Sequence, residues 1–389
     1  MRFLQFSLYS FILGSLLFLT SCKEDFDFSG DHVETPVLFG LLDRNDSLHY
    51  VKLTRTFSGS NNALDVALIE DSSYFADAVI TIEEWLPNPA TNVSTKYRTW
   101  TLQETILNTK APGAFYSPHQ KVYFFKTEAF NNANAPAVTE QNLTKALKDN
   151  ANAIYKLKAS INGGDIVVNA ETKLVNGLSI TTPSANGGNY KFRKTVSGTE
   201  EYTSTTVTAA NGNAKVVDAR LEFSFKEYFN GDSVQKSFMW KIGEFIGDQI
   251  QGSNSSFIIN GESFYNLVRQ NCTSDATINK RKFTSLKLYI TGGSDELSKY
   301  ILVNKPSSSL AQNKPSFTNL TRTDGGPVIG LFSSRLTVKQ EKVSYNPAVP
   351  AYRALDKLST RELCIGAITG SFSFCSDHIT DNVESWYCQ

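Results

Sequence analysis

Cysteine is the residue type whose spacing speaks most directly of chemistry in this 389-residue chain, which holds five of them. Cys272, Cys364, Cys375 and Cys388 lie in its later part, and four thiols allow three pairings. Cys364 and Cys375 flank an apolar segment containing Gly366 and Gly370, a candidate strand hairpin that a bridge would close. Cys272 with Cys388 would then pin the C-terminus. A loop this short would stabilise by about 3 kcal/mol in the chain-entropy description. Two other outcomes stay open. One is free buried thiols. The other is a zinc site from Cys364, Cys375, His378 and Cys388, whose ligand types suit zinc. The gaps before Cys375 and before Cys388 are looser than in structural zinc sites, so bridges or buried thiols are expected and a metal is not.

Serine chemistry has one candidate, Gly231-Asp232-Ser233-Val234. It matches the nucleophile block of the Gly-Asp-Ser-Leu lipases and esterases. In them the block comes early, between a strand and a helix, with Gly-x-Asn-Asp and Asp-x-x-His blocks downstream. Here it falls between two alternating strands, no Gly-x-Asn-Asp exists, and Cys375 stands where His378 would need an aspartate. A hydroxyl without a base is a poor nucleophile, so the block reads as a hairpin turn. Gly-x-Ser-x-Gly, His-Glu-x-x-His, a phosphate-binding Gly-x-x-x-x-Gly-Lys and Cys-x-x-Cys are absent from the sequence. His32, His49 and His119 are scattered singly, and spacing singles out no pair among the 38 acidic residues. No catalytic residue and no cofactor is expected.

The N-terminus carries a different chemistry. Arg2 precedes an apolar run, Phe11 to Leu19, broken by Gly14 and Ser15. The run is too short and too interrupted for a bilayer span and fits a secretory signal over residues 1–21. Leu19-Thr20-Ser21-Cys22 resembles the bacterial lipobox, which implies lipid modification of Cys22 and cleavage before it, palmitate among the chains. One acyl chain binds a membrane marginally; the three typical of bacterial lipoproteins anchor stably. Lys23-Glu24-Asp25 resembles the signal that sends lipoproteins of Bacteroidota-type bacteria across the outer membrane to the cell surface. Asp25-x-Asp27-x-Ser29-Gly30 mimics the start of a calcium loop, but its twelfth position is Pro36 where a glutamate is needed. Residues 22–34 therefore read as an acidic tether.

These groups need a scaffold. Formal net charge is zero, which argues against nucleic-acid binding, since that needs a basic footprint. Aromatics at 12%, with many Thr, Val and Tyr, favour strands. Pro36 to Asp43 and Leu48 to Phe57 form a plausible hairpin around Arg44-Asn45-Asp46-Ser47. Ala78 to Ile82, Tyr97 to Ile106, Val122 to Thr127, Tyr155 to Ile161 and the segment from Ile166 to Val175 follow as strands. Helical patches are expected at Ala63 to Ile69 and Thr139 to Asn150. Short strands punctuated by turns predict a β-sandwich over 35–175, and the Tyr155 strand resembles the late strand of immunoglobulin-like modules, which implies an immunoglobulin-like β-sandwich. Residues 176–189, rich in Gly, Ser, Thr and Asn, read as a linker.

Residues 190–389 read as a second β-rich domain with one or two short helices. Its strongest element is the hairpin of Ala219 to Phe229 and Val234 to Ile242. Ser285 to Ile290 and Val328 to Leu336 are further strands. Helices are expected at Glu262 to Gln270 and at Asp356 to Leu363, where Ser359 and Glu362 have capping-box spacing. Trp85, Trp100, Trp240 and Trp386, with Tyr123-Phe124-Phe125, offer material for a sugar-stacking platform, but core packing is the expected use. Asp46-Ser47-Leu48 and Asp232-Ser233-Val234 resemble the O-glycosylation signal of the same bacterial group, at Ser47 and Ser233, both in predicted turns.

Four features together resemble a family of Bacteroidota-type surface lipoproteins of about this length. They are the strand pair ending Tyr50-Val51-Lys52-Leu53-Thr54-Arg55, the Ala78 to Ile82 strand, the Tyr155 strand with its successor, and Gly330-Leu331-Phe332-Ser333-Ser334-Arg335. The resemblance implies a non-catalytic protein held in the outer membrane by its N-terminal lipid. It also implies that the protein binds a ligand or docks on a TonB-dependent-type nutrient transporter. The alternative is a structural or adhesive surface protein without a small-molecule site. A concave pocket with a few polar groups would favour the first; a flat apolar patch or open strand edge would favour the second.

Overall fold

A computed structural model of the chain describes residues 34–388 except 58–62, 89, 92, 130–142, 149–151, 186, 230, 306–315 and 350–351. The signal segment, Cys22, Lys23-Glu24-Asp25, the calcium-loop mimic and His32 lie outside the described residues. The protein is mainly β.

The first half forms eight strands: β1 (Pro36–Asp43), β2 (Leu48–Arg55), β3 (Ala78–Pro87), β4 (Ser94–Thr101), β5 (Gln103–Leu107), β6 (Gln120–Lys126), β7 (Ile154–Ile161) and β8 (Ile166–Thr172). Alternation sets their faces, because successive side chains of a strand point opposite ways. In β1, Leu38 and Leu42 are fully buried while Phe39 points outward. The order β5-β6-β2-β1 makes one layer and β4-β3-β7-β8 the other. That is the arrangement of an immunoglobulin-like sandwich with one added edge strand. Tyr155 opens β7 in the expected place. Its hydroxyl lies 3.0 Å from the Lys148 carbonyl oxygen, the tyrosine-corner contact of such folds. A short helix, α1 (Ala63–Ala67), lies within the expected patch.

The second half adds β9 (Ser179–Thr182), β10 (Arg193–Val196), β11 (Thr199–Tyr202), β12 (Ser204–Ala210), β13 (Val216–Phe229), β14 (Asp232–Ile246), β15 (Asn254–Asn260), β16 (Lys280–Gly293), β17 (Thr321–Arg322), β18 (Ile329–Val343) and β19 (Phe374–Cys375). Its helices are α2 (Gly261–Asn271), α3 (Asp295–Asn304) and α4 (Lys357–Ile365). The inner face of β13, β16 and β18 packs against the three-stranded sheet β15-β12-β9 and against α2 and α4. Phe223, Phe264, Leu288 and Leu363 lie in that core.

The two halves are joined by strand pairing. β18 pairs in parallel with β1, from Val37↔Ile329 to Asp43↔Arg335. One nine-stranded sheet thus runs β14-β13-β16-β18-β1-β2-β6-β5 through both, with β19 as the ninth strand beside β16. β17 adds to the second layer of the sandwich, and Leu320 and Phe332 fill its core. Gly330 makes the crossing possible. It has φ +126°, and a Cβ there would sit 1.8 Å from the Leu38 carbonyl oxygen. Within 176–189, Leu178 is buried and β9 pairs with β12.

Three helix expectations need revision. Leu143 to Lys148, the described part of the Thr139–Asn150 patch, is not helical. Its backbone is used instead by buried side chains: Arg98 donates to the Lys145 and Ala146 carbonyls and Trp100 to that of Leu143. α4 is capped by Asp356, which accepts from the Ser359 amide at 3.0 Å. Ser359 is therefore not the cap. Its hydroxyl receives the Phe192 amide at 2.8 Å, and Glu362 receives the Tyr202 hydroxyl at 2.7 Å. Finally, α3 lies where no helix was expected.

Candidate functional site

The outer face of the nine-stranded sheet is mostly polar, except where the two halves meet. There, β1 turns Phe39 and Leu41 outward, and β2 turns Leu48, Tyr50 and Lys52 outward. β6 adds Gln120 and Val122, and β5 adds Leu107. The β1–β2 register sets Phe39 opposite Lys52.

α3 supplies the facing wall. Ser294 precedes it with extended backbone, as an N-cap residue does. The Ser294 amide donates to the Ser334 carbonyl at 3.0 Å, and its hydroxyl lies 2.7 Å from that of Ser333. These contacts moor the helix start on β18. Ser298 is buried beneath the helix, while Leu297 and Tyr300 face the sheet. Gly293 allows the close approach, because a Cβ there would meet the Leu297 side chain at 2.8 Å. The ring of Tyr300 meets Phe39 edge-on, with centroids 5.9 Å apart.

Between helix and sheet lies a groove of about 530 Å³, within the roughly 300–1,000 Å³ of small-molecule sites. Phe39, Leu48 and Tyr50 remain 36%, 37% and 38% exposed side by side, so the floor is apolar surface left open to solvent. The polar groups are few. Arg335 lies 3.5 Å from Asp43 and 3.6 Å from Asp46. Burial pushes the Asp43 carboxyl above its ordinary range. Lys52 donates to the Gln120 side-chain oxygen at 3.3 Å. Burial, with the nearby Lys110 charge second, pulls its ammonium below the usual lysine range. Binding of an apolar body with selection by a few polar groups is what this lining can do.

Sequence reasoning missed this site. Its apolar residues sit in strands that read as ordinary alternation, and its wall is the unforeseen helix. The Ser294-Asp295-Glu296 run is an N-terminus signal that would have found α3.

The sequence-derived site residues are scattered. Ser47 is exposed in the β1–β2 turn at the groove's rim, between Asp46 and Leu48. Ser233 is half-buried just after the β13–β14 turn, at the far end of the sheet order. His378 is engaged with the Thr380 hydroxyl at 2.8 Å and the Tyr352 carbonyl at 3.1 Å. Trp100 and Trp386 are buried in different cores and Trp240 packs against the second, so the tryptophans form no platform. Trp85 is capped by Lys156 at 4.2 Å from its ring centre.

The cysteine pairing differs from both expected bridges. Cys375 is bonded to Cys388, while Cys272 and Cys364 are buried thiols. A parallel bridge between Ser376 and Tyr387 aligns the two bonded cysteines, whereas Cys364 is turned into the core by α4. The zinc tetrad loses two members to this bond. Burial raises the Cys272 thiol to about 11 and pushes the Cys364 thiol higher still.

No protein-family model matches the chain, and no curated protein is significantly similar to it.

Proposed function

We propose that this is a non-catalytic, lipid-anchored protein of the outer-membrane surface that binds a ligand in the groove between α3 and the β1–β2 face. In that role it serves, and docks on, a TonB-dependent-type nutrient transporter. The observation that carries the proposal is the concave apolar floor of Phe39, Leu48 and Tyr50, open to solvent at the seam of two cores. Junctions of this kind are favoured places for ligand sites. Anchoring at Cys22 and export through Lys23, Glu24 and Asp25 supply the location, and the family resemblance supplies the transporter.

The adhesive alternative would use an open strand edge. β14 ends the large sheet and pairs only with β13 among the described strands. Lys236 and Lys241 lie on it, and a register shift interrupts its pairing near Arg220. Charges and bulges of this kind discourage strand addition, so the groove is the better-supported surface.

A photocrosslinking amino acid placed at Tyr50 on intact cells tests this, with the same residue at Lys158, on the other layer, as control. A discrete adduct with a transporter or small molecule at position 50 and not at 158 is expected. No adduct at 50, or equal adducts at both, would overturn the groove reading.

A further inference from the structure

We infer that the groove takes a small amphipathic anion, with its apolar ring or chain on Phe39 and Tyr50 and its one acidic group on the Lys52 ammonium. The inference rests on the reading of the groove as a ligand site and adds the chemical class of ligand.

Charge complementarity carries it. Two cations line the groove, and they are treated differently. Arg335 is balanced by Asp43 and Asp46. Lys52 has no carboxylate within 4.0 Å among the described residues, and its partner is the neutral Gln120 amide. Lys52 is half-buried among Phe39, Tyr50 and Val122, and Lys110 adds positive potential nearby. The apolar floor therefore carries an uncompensated positive charge.

That arrangement discriminates among ligands. A neutral apolar molecule would strip water from Lys52 and give nothing back, which is costly for an ammonium. A cation would be repelled. An anion whose apolar body covers the floor supplies the missing partner, and a charge-assisted hydrogen bond in a water-poor groove is among the stronger polar contacts.

The test uses two fluorescent probes of nearly the same shape on the full chain. 1-Anilinonaphthalene-8-sulfonate is anionic, and N-phenyl-1-naphthylamine is neutral. Affinities are compared for the unaltered protein and for Lys52→Gln, Lys52→Arg, Phe39→Ala and Tyr50→Ala, each checked for an unchanged unfolding profile. Lys52→Gln is expected to weaken the anionic probe about tenfold or more and to leave the neutral probe equally or more tightly bound, because that probe no longer has to strip water from an ammonium. Lys52→Arg keeps the charge and should restore most of the anionic affinity. Phe39→Ala and Tyr50→Ala should weaken both probes. If both probes bind, respond to Phe39→Ala and Tyr50→Ala, and ignore Lys52→Gln, the anion inference is overturned while the groove stands. If neither probe responds to Phe39→Ala or Tyr50→Ala, the groove reading falls and the inference with it.

Discussion

Glu84 and Arg98 show how much of the molecule turns on single side chains. Both are buried, with Arg98 Nε 2.5 Å from a Glu84 carboxylate oxygen. The other Glu84 oxygen receives the Tyr155 hydroxyl and the Lys148 amide. Breaking one partner of such a pair leaves a buried charge alone, so Glu84→Gln should cost about 3–5 kcal/mol, read from denaturant midpoints. Glu84 was illegible in the sequence because a charged residue before Trp85 and Pro87 looks like the end of a strand, not its buried face. His49 was likewise read as incidental, yet it is 1% exposed and stacked on Phe125 at 4.6 Å. Burial pushes its imidazole down from 6.5 to about 4. Between those values the unfolded chain takes up a proton that the folded chain refuses, so stability should fall as pH drops through that window. Between pH 7 and pH 4.5, His49→Gln should lose about 2 kcal/mol less stability than the unaltered protein. Cys22→Ser tests the anchor: the protein should leave the membrane fraction with its β-fold intact, and continued membrane retention would count against lipidation.

At the scale of elements, the strands and their hairpin partners were legible, as in β1–β2 and β13–β14, and the pairing between the two halves was not. Alternation marks β2, β7 and the β13–β14 hairpin, because each has one wet and one buried face, while β1 is marked as an extended apolar run. The pairing of β1 with β18 leaves no mark except Gly330, which reads as an ordinary glycine until the Leu38 carbonyl is placed against it. Gly330→Ala should therefore cost about 3 kcal/mol or more. Gly231→Ala is the contrast. Gly231 has φ +85° but open space around it, so about 1–2 kcal/mol of backbone strain is expected. Equal costs at the two sites would mean that the β1–β18 approach is looser than described. The cysteines make a second case. Composition could count them but not align Cys375 beside Cys388, since the Ser376–Tyr387 bridge that does so is two residues long. Peptide-resolved thiol labelling of the unreduced protein should leave Cys272 and Cys364 unmodified until denaturant is added, and Cys375 and Cys388 unmodified throughout.

For the whole molecule, two cores share one sheet. The immunoglobulin-like half was foreseeable because its strands are short and its turns are marked. Its completion by Leu320, Phe332 and β18 was not, because those contacts join segments that no periodicity connects. A fragment ending at residue 175 would expose the edge of β1 and lack part of its core. It should show no cooperative unfolding transition. The same junction creates the groove, since β1 and β2 come from one half and α3 and β18 from the other. Hydrogen–deuterium exchange of the full chain, with and without 1-anilinonaphthalene-8-sulfonate, reports most directly whether this seam is the working surface. Added protection confined to β1, β2, β6 and α3 is expected. Protection elsewhere, in the β13–β14 hairpin or on the β7–β8 face, would contradict the groove as the ligand site.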